Sequence, residues 1–128
     1  MLSSRLATLP RRAKIFREGT HKFSSTYVGN NVLGVLREDH NMWERRAPVT
    51  PSQVAELKSA HPDLKVLVQP CARRVFTDSE YSSVGAEITE DLSKASLVVG
   101  VKAPHAEKLL RDKSYMFFAH VIKAQQYA

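Results

Sequence analysis

The sequence is poor in cysteine and glycine, and it has no long apolar run. Its single cysteine, Cys71, excludes an internal disulfide and suits a reducing compartment. The five glycines are scattered and form no Gly-x-Gly-x-x-Gly segment, so the loop that cradles a dinucleotide pyrophosphate is missing. No apolar run approaches the ~20 residues of a membrane span, and no closely spaced His pair predicts a metal site. With 128 residues, the chain has room for one small domain.

Acidic residues are scarce at the start of the chain. Residues 1–31 contain six Lys and Arg against one acid, Glu18, which is a net charge of +5. Residues 32–128 contain 13 basic and 12 acidic side chains, which is a net charge of +1. The body of the chain is therefore nearly neutral, and neither nucleic acid nor a membrane is expected as its partner.

Residues 1–31 have the composition of a mitochondrial transit peptide. Leu2, Leu6 and Leu9 share one face of a short helix, with arginines and hydroxyl side chains around them. Amphipathic segments rich in Arg and Ser are typical of transit peptides, and the apolar core of a secretory signal is missing. We expect a disordered leader that directs the chain to the mitochondrial matrix. The alternative is a basic arm that binds phosphate or membrane surfaces.

From residue 32 onward, strand-like and helix-like segments alternate. The predicted strands are Val32–Leu36, Leu64–Gln69, Ala86–Thr89, Ser96–Val101 and Ser114–Ala119. The predicted helical segments are Thr50–Ala60, Thr77–Val84, a single turn at Glu90–Lys94, Pro104–Leu110 and the start of a helix at Lys123–Ala128. This alternation predicts an α/β fold, a parallel Rossmann-like sheet with flanking helices.

Polar side chains follow three of the predicted strands. Arg37 and Glu38 follow the first strand, Lys102 follows the fourth, and His120 follows the fifth. Because the carboxyl ends of parallel strands lie along one edge, these side chains are expected to form a site for a small carboxylate. Taken alone, each of these residues also fits a simpler interpretation, a charged side chain exposed to solvent where a strand ends.

Two further features leave alternatives open. Trp43 either packs the charged loop after the first strand onto the sheet or lines a substrate site. Arg73 and Arg74 fit either a solvated turn, which we favour, or an anion site.

Five segments resemble one family of enzymes. They are Gly34–Pro51, Val68–Tyr81, Gly85–Ile88, Val99–Pro104 and Phe117–Gln126. They are similar to the N-terminal region of the mitochondrial α-aminoadipic semialdehyde synthases, which combine lysine–2-oxoglutarate reductase and saccharopine dehydrogenase. More broadly, residues 32–128 resemble the N-terminal domain that alanine dehydrogenase shares with nicotinamide nucleotide transhydrogenase. The resemblance implies an oxidoreductase of lysine catabolism that joins L-lysine and 2-oxoglutarate to saccharopine with NADPH.

The resemblance also implies roles for individual residues. Lys102 and His120 match an acid–base pair of the family, and Arg46 and Lys123 match partners of substrate carboxylates. Glu44 is a candidate to orient Arg46 or Lys102. No cofactor-binding or metal-binding residue is implied.

The family's nicotinamide-binding domain follows the matched region, and this sequence ends at Ala128. The expected domain is therefore truncated, the NADPH domain is absent, and the chain alone is expected to be inactive. A first alternative is a non-catalytic module that binds a small molecule, a second copy or a full-length relative. A second alternative is a basic interaction protein that uses residues 1–31. A truncated domain is also expected to expose apolar surface and a sheet edge, and to self-associate.

Overall fold

The computed structural model describes residues 29–119. The predicted leader and the segment from His120 onward lie outside the described residues, apart from residues 29–31. The elements, in chain order, are β1 (Val32–Val35), α1 (Pro51–Ala60), β2 (Lys65–Val68), α2 (Asp78–Ser83), β3 (Glu87–Ile88), β4 (Leu97–Lys102), a 3₁₀ helix (Ala106–Lys108) and β5 (Ser114–Phe118).

The five strands form one parallel sheet in the order β3-β2-β1-β4-β5. The chain begins at the centre, moves outward through β2 and β3, and then returns to place β4 on the other side of β1. The strand order therefore reverses between β1 and β4. In open α/β sheets, the crevice at this reversal, beyond the carboxyl ends of the strands, is where ligands bind. The parallel Rossmann-like fold predicted from the sequence is confirmed.

Both α-helices begin with a capping box. The Thr50 side chain accepts a hydrogen bond from the Gln53 N–H, and the Gln53 side chain accepts one from the Thr50 N–H. Thr77 and Glu80 repeat the arrangement at α2. Each box satisfies two backbone donors that a helix N-terminus otherwise leaves unpaired. This local chemistry explains why both helices start where the sequence predicts.

Apolar side chains pack on both faces of the sheet. The cluster on the face covered by α1 and α2 consists of Val35, Val54, Val66, Val68, Tyr81, Ala86 and Val99. The cluster on the opposite face consists of Leu67, Leu92, Ala95 and Val98. Neighbouring residues of β2 and β4 alternate between the two clusters, as the pleat of a strand requires. Edge strand β5 is less covered, with Met116 62% and Phe118 70% exposed.

Two predicted helical segments differ from the structure. Glu90–Lys94 contains a turn and no helix, because the Asp91 carboxylate accepts hydrogen bonds from the N–H and hydroxyl of Ser93. Such side-chain bonds compete with helix formation. Pro104–Leu110 is helical only at its 3₁₀ centre. The predicted helix at Lys123–Ala128 lies outside the described residues. Within residues 29–119, no helix has the length and apolarity needed to cross a bilayer.

Candidate functional site

The loop between β1 and α1, residues 36–50, crosses the carboxyl edge of the sheet and places Glu38 against the end of β4. The Glu38 side chain accepts hydrogen bonds from the N–H groups of Val101 and Lys102, the latter at 3.0 Å. Glu38 is only 5% exposed. Its burial raises the pKa of the carboxyl, because the two N–H bonds only partly offset the loss of hydration. A buried acidic group therefore sits at the reversal of strand order.

Farther along the same loop, Glu44 and Arg46 form an ion pair. The Glu44 carboxylate accepts hydrogen bonds from Nε of Arg46 at 2.8 Å and from Nη2 at 2.6 Å. It also accepts one from the Arg46 backbone N–H at 3.1 Å. These bonds lower the pKa of Glu44 to about 2, and the charge of Lys102 contributes to the same shift. Glu44 is buried while the Arg46 side chain is 64% exposed, so the pair presents a guanidinium to solvent.

Lys102 is the last residue of β4 and is half-buried. Its backbone N–H is bound by Glu38, whereas its ammonium group forms no hydrogen bond or ion pair with any of residues 29–119. Glu38, Glu44, Arg46 and Lys102 form what we call the carboxyl-edge cluster, with two acidic and two basic groups. The structure therefore places Arg46, Lys102 and Glu44 at the same carboxyl edge of the sheet.

A cavity of about 490 Å³ opens beside the cluster. Arg46 contributes to its wall, and the remaining wall is largely apolar, including Pro48, Val49, Val101 and Phe117. A largely apolar cavity with one polar anchor is the usual form of a small-molecule site. A second cavity of about 420 Å³ lies over α1 and includes no cation in its wall, so it does not suit an anionic ligand.

The loop from residue 69 to residue 77 braces the site from the side of β2. Arg73 Nη2 donates to the Glu38 carbonyl at 3.3 Å, and Arg45 Nε donates to the Arg73 carbonyl at 3.2 Å. The backbone N–H of Val75 donates to the Arg45 carbonyl at 2.9 Å. These bonds hold residues 36–50 against the sheet edge, although they span 28 to 35 residues of sequence.

Three residues differ from their sequence-based interpretation. Arg74 is not part of a solvated turn, because its side chain is 2% exposed, pairs with Asp78 at 2.8 Å and covers the Tyr81 ring. Trp43 does not pack onto the sheet, since it is 81% exposed. Glu38 is expected at a site for a small carboxylate, whereas its side chain is turned to the backbone N–H groups of Val101 and Lys102.

Other predicted residues have a simpler outcome. His120 and Lys123 lie outside the described residues. Cys71 is a buried free cysteine. In the described part of the chain, no group of three or more His, Cys, Asp or Glu residues is placed to hold a metal ion.

Comparison with known proteins identifies relatives of this chain. Residues 34–128 match the family model described as the N-terminal domain of alanine dehydrogenase/PNT. A mitochondrial alpha-aminoadipic semialdehyde synthase of Bos taurus is 47% identical over 95 residues, which are 74% of this chain and 10% of that protein. A saccharopine dehydrogenase (NAD(+), L-lysine-forming) of Yarrowia lipolytica is 30% identical over 95 residues, which are 70% of this chain and 25% of that protein.

The fold has a counterpart among solved structures. An L-alanine dehydrogenase superposes with a TM-score of 0.61 and 25% identity, over 73% of this chain and 27% of that chain. The chain spans about a tenth of the length of the curated synthases that it matches. These matches confirm the resemblance found in the sequence: the chain belongs to the family of alanine dehydrogenase/PNT N-terminal domains.

Proposed function

We propose that this chain supplies the substrate side of an oxidoreductase of lysine catabolism. The proposed reaction condenses the ε-amine of L-lysine with the keto group of 2-oxoglutarate and reduces the product to saccharopine. The observation that carries this proposal is the ion pair of Glu44 with Arg46, which places a guanidinium in the wall of a cavity of about 490 Å³ while the charge of Lys102 acts on the same Glu44. The names of the Bos taurus and Yarrowia lipolytica relatives support lysine chemistry.

Arg46 is proposed to bind a substrate carboxylate. Glu44 bonds to Nε and Nη2 of its guanidinium, and no other residue among 29–119 hydrogen-bonds to that group. The Nη1 edge therefore remains for a ligand, on a side chain that Glu44 already orients. A guanidinium binds a carboxylate through paired N–H donors, which suits the two carboxylates of 2-oxoglutarate. Lys123 is a second proposed carboxylate partner.

Lys102 and His120 are proposed to handle protons in the condensation. The ε-ammonium of the substrate must lose a proton before its nitrogen attacks the keto carbon, and the departing hydroxyl must gain one to leave as water. Two groups with different pKa values can carry out both transfers near neutral pH. The ammonium of Lys102, unpaired among the described residues, supports this role.

The reduction requires a hydride, which NADPH supplies when bound. The described residues do not fit this dinucleotide, because the Glu38 carboxylate occupies the end of β4 at the reversal of strand order. A pyrophosphate there would meet a buried negative group. Residues 29–119 therefore account for substrate binding and condensation only. We place the cofactor on a separate domain, and the proposed boundaries are a transit peptide at 1–31 and the substrate-side domain at 32–128.

Ligand titration of the 128-residue chain tests the binding role directly. We expect 2-oxoglutarate to shift the amide NMR signals of Arg46 and Lys102 with a Kd on the order of 1 mM. Arg46→Met should abolish these shifts, because it removes the guanidinium. Arg111→Met removes an exposed arginine that precedes β5, and should leave the shifts of Arg46 and Lys102 unchanged. Absence of any shift at ligand concentrations on the order of 10 mM would contradict the proposal.

A chimera tests the reaction. Residues 34–128 would replace the matching segment of the bovine relative, and NADPH oxidation that depends on L-lysine and 2-oxoglutarate would be measured. We expect activity in the chimera and its loss in the Lys102→Met variant. Lys65→Met, which changes an exposed lysine at the start of β2, is the matched control. An active Lys102→Met chimera would exclude the acid–base role.

The second candidate is a module that binds an oxo acid or amino acid without turnover. The misfit of the dinucleotide with residues 29–119 favours it. Binding of 2-oxoglutarate together with an inactive chimera would support this candidate. Its partner would be a full-length relative or a second copy, and the exposed Met116 and Phe118 on β5 offer the surface. Sedimentation of the chain measures its self-association.

The proposed location is the mitochondrial matrix. The name of the bovine relative supports it, since that protein is described as mitochondrial. A fluorescent protein fused to residues 1–31 is expected to enter mitochondria. Diffuse fluorescence would instead favour the basic arm, whose binding to anionic vesicles should weaken as salt is added.

A further inference from the structure

We propose that Glu38 is a positioning residue, whose carboxylate fixes the end of β4 and thereby holds Lys102 in the carboxyl-edge cluster. This inference rests on the proposed function for the role of Lys102. The placement of Lys102 by Glu38 can nevertheless be tested without any ligand.

The first observation is an irregularity in β4. The register of β4 with β5 shifts between Val99 and Lys102. In a regular strand, successive N–H groups point to opposite sides. Here the successive N–H groups of Val101 and Lys102 bond to the same carboxylate, that of Glu38. Such bulges redirect side chains and often lie next to active sites.

The second observation is that the Glu38 side chain accepts hydrogen bonds from β4 where the backbone hydrogen bonds between β1 and β4 end. The last backbone hydrogen bond from the β1 side to β4 joins the N–H of Leu36, the residue after β1, to the Val99 carbonyl at 2.9 Å. Beyond it, residues 36–50 leave the sheet, and the side chain of Glu38 supplies the acceptors for the next donors of β4. A buried N–H without an acceptor is unfavourable, so the carboxylate holds this segment in its irregular form.

The third observation is the close packing around Gly100 at the end of β4. A Cβ atom on Gly100 would lie 3.4 Å from Oε1 of Glu38 and 3.1 Å from Cδ1 of Leu36. The second distance is tighter than ordinary van der Waals contact. The Lys102 carbonyl oxygen would lie 3.3 Å from the same Cβ atom, so glycine at this position allows Leu36 and the irregular end of β4 to pack closely beside Glu38.

The charges around Glu38 favour a fixed arrangement. Glu44 and Arg46 act on it from residues 36–50, with opposite effects on its ionisation. Lys102 meets it from β4 through a backbone N–H, and Arg73 bonds to its carbonyl from the loop after β2. The charge of Lys102 also contributes to the lowered pKa of Glu44, so moving the end of β4 would weaken that interaction.

The test is NMR spectroscopy of the full 128-residue chain and its Glu38→Gln variant. Glutamine keeps one oxygen acceptor but presents an NH₂ group to the second N–H. We expect the amide signals of Val101 and Lys102 to move upfield and to lose roughly tenfold in exchange protection, the loss expected for a charge-assisted bond. The Nζ signal of Lys102 should also move, which a purely local stabilising role would not cause.

Glu90→Gln is the matched control. Glu90 lies at the same sheet edge and pairs with Arg37 at 2.8 Å, and its hydrogen bonds join it to Arg37 and Gln69, not to β4. We expect its Val101 and Lys102 signals to match those of the unmodified chain. Unchanged Lys102 signals in folded Glu38→Gln would overturn the proposal.

If Glu38→Gln does not fold, a pH titration of the unmodified chain tests whether Glu38 positions Lys102. The side-chain carboxyl carbon of Glu38 and the amides of Val101 and Lys102 should then titrate together, and the Lys102 Nζ signal should follow. Independent midpoints would overturn the proposal. These results do not depend on a ligand, so a chain that binds no 2-oxoglutarate but shows the coupled signals would refute the proposed function alone.

Discussion

Neutralising Glu44 tests the electrostatics of the carboxyl-edge cluster. In the folded chain, three N–H groups of Arg46 bind the Glu44 carboxylate, and the pKa of that carboxyl falls to about 2. Glu44→Gln removes the negative charge and keeps an oxygen that accepts a hydrogen bond. The variant therefore reports the charged part of the interaction.

The magnitude follows from the shift and from the exposure of the pair. The interval between the ordinary pKa of 4.5 and about 2 corresponds to roughly 3 kcal/mol, at about 1.36 kcal/mol per pKa unit. The Arg46 side chain is 64% exposed, so water and salt screen the pair strongly. We expect Glu44→Gln to lower the free energy of unfolding at neutral pH by ~1 kcal/mol.

The dependence on pH has a definite sign. Because the pKa of Glu44 is lower in the folded chain, its stabilisation is complete above the ordinary value of 4.5 and is lost as the pH falls toward about 2. Urea unfolding at several pH values should therefore show the difference between the unmodified chain and Glu44→Gln shrinking in acid. Glu56→Gln, on the exposed face of α1, should match the unmodified chain throughout. A difference that is absent at neutral pH, or constant down to the lowest pH, would refute the reasoning.

Two further substitutions test how α2 is held. Tyr81→Phe removes the hydroxyl that donates to the Val49 carbonyl at 2.5 Å in a buried environment, and should cost about 1–2 kcal/mol of unfolding free energy. Tyr115→Phe removes a hydroxyl in an exposed hydrogen bond and should cost less than about 0.5 kcal/mol, so equal losses would contradict the assignment. Gly85→Ala places a side chain at φ +82°, where Lys58 also crowds its Cβ, and should cost about 1–2 kcal/mol by thermal unfolding. An alanine variant with unchanged stability would show that the turn can relax.

The helices show how far local sequence reaches. Thr50 followed by Pro51, and the segment from Thr77 to Glu80, both predict a helix start, and both form capping boxes. The partners of a cap are three residues apart, so the sequence displays the whole interaction. The predicted helical turn at Glu90–Lys94 was wrong, also because of a local interaction. There the Asp91 side chain accepts hydrogen bonds from Ser93 and closes a turn instead.

The site was predictable only in part. Strand alternation predicts that Arg37, Glu38 and Lys102 share one edge, and the sheet order confirms a common edge. The ion pair of Glu44 with Arg46 joins neighbours in sequence and was a natural hypothesis. The burial of Arg74 was missed, although its spacing of four residues from Asp78 is the one signal that pointed to an ion pair.

The sequence alone determined the parallel fold, the two capped helices and the residue types of the carboxyl-edge cluster. These depend on periodicity and on contacts between near neighbours, which a sequence displays directly. The tertiary structure alone decided that Glu38 turns inward to bind Val101 and Lys102, which lie 63 and 64 residues away. It also decided the irregular end of β4 and the cavity beside Arg46. Such features depend on which backbone N–H groups have no acceptor in the neighbouring strand once the sheet has formed. No local sequence pattern shows this.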